Sequence, residues 1–386
     1  MNRKHSILAA LSLIVLITVS LFFTVNTLSK HTSTRPFYVG VEFAYGNQFS
    51  ELKTLVDKVK DYTNLFVIGS VYLTFNRTAL DESCDYIFSS GLNFIVLFTS
   101  FAMYNDSNGW IGYTIFNWII NAKQKYGDQF LGFYRFDEPG GNQLDKGTSM
   151  FIKNASSYAE VSESYVGNLS TIVGYYLNHT NYATKIFTAD YGLFWFDYES
   201  GYTTILAEFV GNQSRQLITA LDSGAAQSFN ENWGVIINWK YDQIPYLESG
   251  DELYSDLSLV YSAVAKYAVV FSYPNVTNYG TLTQPHFDAL ERFWNNIHNN
   301  PGSFASSNSE VAYVIPKDYG FGFRNPNDTI WGLFPSDVLT PKIWDDAATL
   351  LNRYGTNLNI IYDDPEITGS TLNNYTKVFY WNQTIT

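Results

Sequence analysis

The chain has 386 residues, 46% of them hydrophobic and only 15% charged, with a formal net charge of -13. That length allows one large domain and a smaller one, and no cluster of Lys and Arg offsets the acidity, which excludes nucleic acid as a partner. One cysteine, Cys84, excludes an intrachain disulfide, and the five scattered histidines form no metal-binding spacing, so neither a metal nor a cofactor is expected.

Arg3 and Lys4 precede an apolar run from about Ile7 to Leu28, long enough to cross a bilayer. Basic residues before the span keep the N-terminus inside and send the rest of the chain outside. No clear small-residue cleavage site follows, so residues 1–30 read as a transmembrane anchor or uncleaved signal. The product is secreted if that segment is removed. Ten N-x-S/T sequons agree with export: Asn76, Asn105, Asn154, Asn168, Asn178, Asn212, Asn275, Asn327, Asn374 and Asn382. Glycans there would supply the solubility that the sparse charges do not.

From residue 35 strand and helix signals alternate. FYVGVEFAY is the first strand, and a helix follows over Ser50 to Tyr62. NLFVIGS is the second strand, then a helix from Leu80 to Ser89 leads into LNFIVLFTS. A helical pattern over Trp110 to Tyr126 closes at Gly127. FLGFYRF is strand four, and Tyr158 to Leu177 a long helix. TKIFTAD is strand five, followed by the less regular YGLFWFDYESGYTT. ILAEFV is strand six, WGVIINW strand seven and YAVVFSY strand eight. Helices span the intervals, and a last one covers Phe287 to His298. Eight short, mostly apolar strands separated by helices predict a (β/α)8 barrel over residues 35–300. After the polar linker HNNPGSFASSNSE, the strands VAYVIP, LNIIYDD and KVFYW and a helix from Pro341 to Tyr354 predict a small α/β accessory domain over 301–386.

In a barrel of this kind the chemistry gathers at the C-terminal ends of the strands. Glu42 follows strand one there, and Arg135, Asp137 and Glu138 follow strand four. Asp197 lies beyond strand five in a ring-rich stretch with Trp195. Glu208 ends strand six. Asn238, Trp239, Tyr241 and Asp242 follow strand seven, and Tyr273 follows strand eight. Glycoside hydrolysis needs two carboxylates across a cleft, one to protonate the leaving oxygen and one to attack carbon or activate water. Glu138 is the expected proton donor, with Asp137 beside it to orient it or raise its pKa. The second carboxylate stays open, ranked Glu208, Asp197, Asp242, Glu42. Aromatic residues at 18% of the chain are either core or sugar platforms.

FYRFDEP resembles the strand-four acid/base segment of TIM-barrel glycoside hydrolases, with Asp137 where many of them carry Asn. The chain departs from them at strand seven, where Asn238, Trp239 and Lys240 stand and no Glu does. VAYVIPKDYGFGFRNPNDTIWGLF, with LNIIYDDP, resembles the accessory domain that follows the barrel in some β-galactosidase-like enzymes. Sequons with almost no cysteine resemble membrane-anchored archaeal cell-surface glycosidase-like proteins. The resemblance implies hydrolysis of extracellular glycan or polysaccharide, a carbohydrate partner and a place at the cell membrane, with other cell-surface proteins as further partners. The alternative is an inactive, glycosylated surface protein that binds glycan or builds structure.

Overall fold

The computed structural model describes residues 36–99, 104–110, 114–300 and 309–385. Eight parallel strands close a barrel in sequence order: β1 (Tyr38–Phe43), β2 (Leu65–Ile68), β3 (Asn93–Leu97), β4 (Phe130–Tyr134), β5 (Lys185–Asp190), β6 (Thr204–Phe209), β7 (Asn232–Ile237) and β8 (Tyr267–Val270), the last pairing back onto β1. The expected (β/α)8 barrel is therefore present. Strands four, seven and eight stop two or three residues short of their apolar runs, which leaves Arg135, Asn238 and Phe271 just above the sheet.

Helices fill the crossovers: α1 (Phe49–Val59), α2 (Val71–Phe75), α3 (Arg77–Ser89), α4 (Ile115–Tyr126), α5 (Pro139–Leu144), α6 (Tyr158–His179), α7 (Phe194–Glu199), α8 (Arg215–Phe229), α9 (Gly250–Ser262) and α10 (Gln284–Asn299). Many begin where a short polar side chain accepts an otherwise unpartnered N–H. Asn76, Ser157 and Ser214 do so for α3, α6 and α8, and Ser249 forms a reciprocal capping box with Glu252 for α9. The irregular YGLFWFDYESGYTT resolves into α7, packed on α6 and α8.

A second, three-stranded parallel sheet follows, in the order β10 (Leu358–Tyr362), β9 (Val311–Ile315), β11 (Lys377–Tyr380), with helices α11 (Thr340–Tyr354) and α12 (Pro365–Thr371). It sits against α8, where Ser223 Oγ bonds Asn359 Oδ1 at 2.6 Å and Asn359 Nδ2 bonds Gln227 Oε1 at 2.8 Å. The chain from Phe37 onward forms one compact unit. Among the described residues no helix is long and apolar enough to cross a membrane. The apolar run from Ile7 to Leu28 lies outside the described residues.

Strand alternation explains what stands at the barrel mouth. Leu65, Val67, Ile95, Tyr134, Phe187, Ala189, Leu206, Ile236, Tyr267 and Val269 fill the interior. Two residues further along the same inward phase come Glu208 after Leu206, Asn238 after Ile236 and Phe271 after Val269. Glu42 holds the same phase as Tyr38 on β1. Apart from Phe271 the last inward layer is thus polar, and Glu208, Asn238 and Phe271 from it line a cleft.

Candidate active site

The segment after β4 is the most constrained part of the site. Arg135 N–H still bonds Phe187 O at 2.9 Å, and Glu138 N–H bonds Ala189 O at 3.0 Å, so the chain keeps tracking β5. Between these anchors Phe136 takes φ 63° and Glu138 takes φ 50°, left-handed values that cost a non-glycine residue roughly 1 kcal/mol or more each. The bends present Asp137 and Glu138 to the mouth. Asn142 Nδ2 then donates to the carbonyls of Asp137 and Glu138 at 3.0 and 2.7 Å.

Asp190, fully buried at the end of β5, holds this turn down. It accepts four backbone N–H groups: Gly140 at 2.5 Å, Gly141 at 2.9 Å, Tyr191 at 2.7 Å and Gly192 at 3.1 Å. The glycines of DEPGG serve this contact. A Cβ on Gly140 would lie 2.3 Å from Gly192 O, and one on Gly141 would lie 2.3 Å from the Tyr191 ring. The sharp turn itself is made by Phe136 and Glu138, not by the glycine pair.

Across the mouth Glu208 rises from β6, 3% exposed, and its Oε2 accepts Asn238 Nδ2–H at 3.0 Å. Trp239 N–H donates to Asn238 Oδ1 at 2.7 Å, which fixes the amide's orientation. The Glu138 and Glu208 carboxyls lie within hydrogen-bonding reach of each other. Burial raises Glu138 to about 7, with Asp137 adding to the rise and the Glu208 contact opposing it. Burial, and next the neighbouring Glu138, push Glu208 well above the usual carboxylate range. The two groups titrate as a pair.

Tyr134 stands at the centre of this floor. Its phenol donates to Asp137 Oδ1, and it lies in the field of Asp137, Glu208 and Glu42. Asp137 is solvent-reachable but walled in by protein, and that desolvation raises its carboxyl. Glu42, 7% exposed at the end of β1, is pushed up to about 8 by burial and then by Asp137.

The cleft above these groups encloses about 520 Å³ and is lined by Asp137, Glu138, Asp145, Tyr191, Glu208, Gln213, Asn238, Trp239, Phe271 and Tyr273, among others. Trp239 and Tyr273 stand nearly parallel, 10° between planes and 6.1 Å between centroids, and form one wall. The rim opposite is tied to the small sheet's segment. Arg324 Nη1 donates to Asp145 Oδ1 at 2.6 Å while the same guanidinium grips Asp328, and Tyr191 OH donates to Asp145 Oδ2 at 2.6 Å. Among the described residues no cluster fit to hold a metal ion occurs.

The structure thus brings Asp137, Glu138, Glu208, Asn238, Trp239 and Tyr273 to one cleft, with Glu42 beside Asp137. The other expected residues lie elsewhere. Asp197 is fully buried on α7, where Tyr165 OH donates to its Oδ1 at 2.7 Å and its carboxyl touches Asp190. Burial raises Asp197 to about 8. Burial pushes Asp190 up as well, but four backbone N–H groups favour its ionised form, so we assign the proton of that contact to Asp197. Trp195 packs between Phe229 and Tyr362, in the seam with the small sheet. Arg135 follows an inward residue and so points outward, where its Nε donates to Tyr176 OH at 2.7 Å. Tyr241 and Asp242 are carried into solvent by a tight turn in which Lys240 and Tyr241 N–H both bond Tyr246 O. Tyr134 and Phe271 were missed as site residues, although the inward alternation marks both. Asp145, Tyr191 and Gln213 carry no comparable signal.

No family profile matches the chain, and no curated protein matches it. Solved structures similar to it include α-L-fucosidase isoenzyme 2 from Paenibacillus thiaminolyticus, at TM-score 0.48 and 9% identity over 89% of this chain; the chain spans 59% of that enzyme's length. A tandem GH20 catalytic module of the pneumococcal exo-β-D-N-acetylglucosaminidase StrH is similar at TM-score 0.43 and 8% identity, over 72% of this chain and 88% of that one. The family 1 β-glucosidase of Thermotoga maritima is similar at TM-score 0.41 and 9% identity, over 69% and 97%. These neighbours are glycoside hydrolases, and the likeness is one of fold.

Proposed function

We propose that the chain is a glycoside hydrolase that uses Glu138 as proton donor and Glu208 as its partner carboxylate. One observation carries this reading. Two carboxyls, one just beyond β4 and one on β6, meet at the floor of an open cleft with an aromatic wall. Glu138, at the solvent side of the pair, gives its proton to the departing glycosidic oxygen. Glu208 attacks the anomeric carbon as the carbon–oxygen bond breaks, forming a glycosyl ester. Water then adds to that carbon, losing its proton to Glu138 and releasing Glu208. The Asn238 N–H supports the ionised form of Glu208 before attack. Carboxyls in contact are nearer to the roughly 5 Å spacing of retaining enzymes than to the 6.5–9.5 Å, approximately, of inverting ones.

The test is hydrolysis of aryl glycosides by the wild type and by Glu138→Gln, with NMR reading the first-formed anomer. The variant should lose at least about a thousandfold in kcat/KM with its melting temperature held, and the wild type should retain configuration. Folded wild-type protein that binds glycan but cleaves none would identify a non-catalytic binding barrel instead.

We further propose export, glycosylation and a place on the cell membrane through the apolar run at Ile7–Leu28. All ten sequon asparagines are solvent-exposed, which supports glycosylation. Where Asn76 and Asn105 also cap backbone N–H groups they use Oδ1, not the Nδ2 to which a glycan attaches. Loss of mass on enzymatic deglycosylation of protein from its native cells checks this.

A further inference from the structure

The charge pattern of the cleft narrows the sugar. None of the residues lining it is Lys, Arg or His. The cations nearby are engaged elsewhere: Arg324 with Asp145 and Asp328, Lys240 with Glu252, and Arg135 toward Tyr176. Against this, four carboxyls gather at the mouth: Asp137, Glu138 and Glu208 line the cleft, and Glu42 stands beside Asp137. Three of them have a protein donor or each other. Asp137 has Tyr134, Glu208 has Asn238, and Glu138 meets Glu208.

Glu42 differs. More than nine-tenths buried, it has no hydrogen bond or ion pair to its carboxyl among the described residues, and it stands beside Asp137 at the same mouth. Gly69 makes room for it. A Cβ on that glycine would lie 1.8 Å from Glu42 Oε1. A buried acid held neutral can both donate to and accept from a sugar hydroxyl, and the rise of its pKa to about 8 agrees with that form.

We infer that the cleft takes an uncharged or amine-bearing sugar next to the scissile bond and rejects anionic sugars, with Glu42 as a hydrogen-bonding residue that sets this specificity. A uronate, sialic acid or sugar phosphate would bring its charge against four acids with no cation to meet it. This rests on the hydrolase reading, and the test separates the two.

Full-length protein is assayed on nitrophenyl glycosides of neutral hexoses, N-acetylglucosamine, glucosamine and glucuronic acid. Calorimetry with neutral and glucuronate-configured iminosugars runs in parallel. The glucuronide should be cleaved at under a hundredth of the rate of the best neutral or amino substrate, and the glucuronate iminosugar should bind at least tenfold more weakly. Glu42→Ala should raise KM at least tenfold, and Glu42→Gln, which keeps a neutral hydrogen-bonding end, should recover part of that loss. Comparable turnover or binding of the glucuronide, or an unchanged KM in Glu42→Ala, overturns the inference while leaving the hydrolase intact. Selective binding of neutral iminosugars without turnover of any glycoside sinks the hydrolase and leaves the selectivity standing.

Discussion

The Tyr134 phenol, rising from inside the barrel, donates its proton to the Asp137 carboxylate at the mouth. That bond favours the ionised form of Asp137, whose field reaches both Glu138 and Glu208. Asp137 is therefore a tuning group for the proposed proton donor as well as part of the cleft wall.

The pH dependence follows from that neighbour. Glu138 must carry a proton to act, and its pKa stands at about 7. Activity should fall as pH rises through that value. In Asp137→Asn a like charge is removed, ionisation of Glu138 becomes easier, and the alkaline limb of kcat/KM should move to lower pH. A limb that stays put or moves upward would show that another group controls it.

Asp190 should matter out of proportion to its distance from substrate. In Asp190→Ala four backbone N–H groups lose their acceptor in a dry site, a loss of about 3 kcal/mol or more. The turn bearing Glu138 is then unpinned. Urea unfolding should show the lower stability, and kinetics should show a fall in kcat larger than the change in KM. A fall in stability with kcat intact would mean that the nest serves folding alone.

Folding stability should be higher at pH 5 than at pH 8. Burial raises Glu42 and Asp197 to about 8, and Glu199 and Glu248 to about 7. Each binds its proton more tightly folded than unfolded. Its contribution is whole below the unfolded pKa near 4 and is lost as pH climbs through the folded value. Scanning calorimetry from pH 5 to 8.5 should record a falling melting temperature, and a rising one would contradict the buried neutral state of these acids.

How much of this was legible beforehand depends on what kind of signal each residue carries. The barrel was readable because strand length, apolarity and spacing are local properties that repeat eight times. Glu138 and Glu208 were readable because strand ends set the mouth. Asp197 misled because acid type and nearby rings look the same in sequence whether a short helix turns them toward solvent or toward Tyr165. Trp195 misled for a related reason: the sheet that covers it lies far along the chain. Arg135 was within reach of a parity argument, since it follows the inward Tyr134. The Asp190 nest was not, because backbone N–H groups are anonymous in a sequence.

The tie from Arg324 to Asp145, with Gln143 bonding Trp331 O at 3.0 Å, has an evolutionary consequence. One bank of the cleft is secured by the chain's last quarter, so the barrel cannot exchange that portion for another module and keep its rim. If the proposed activity holds, variation in sugar choice is then easiest at the bank formed by Trp239 and Tyr273, whose rings meet each other, Tyr246 and Phe271.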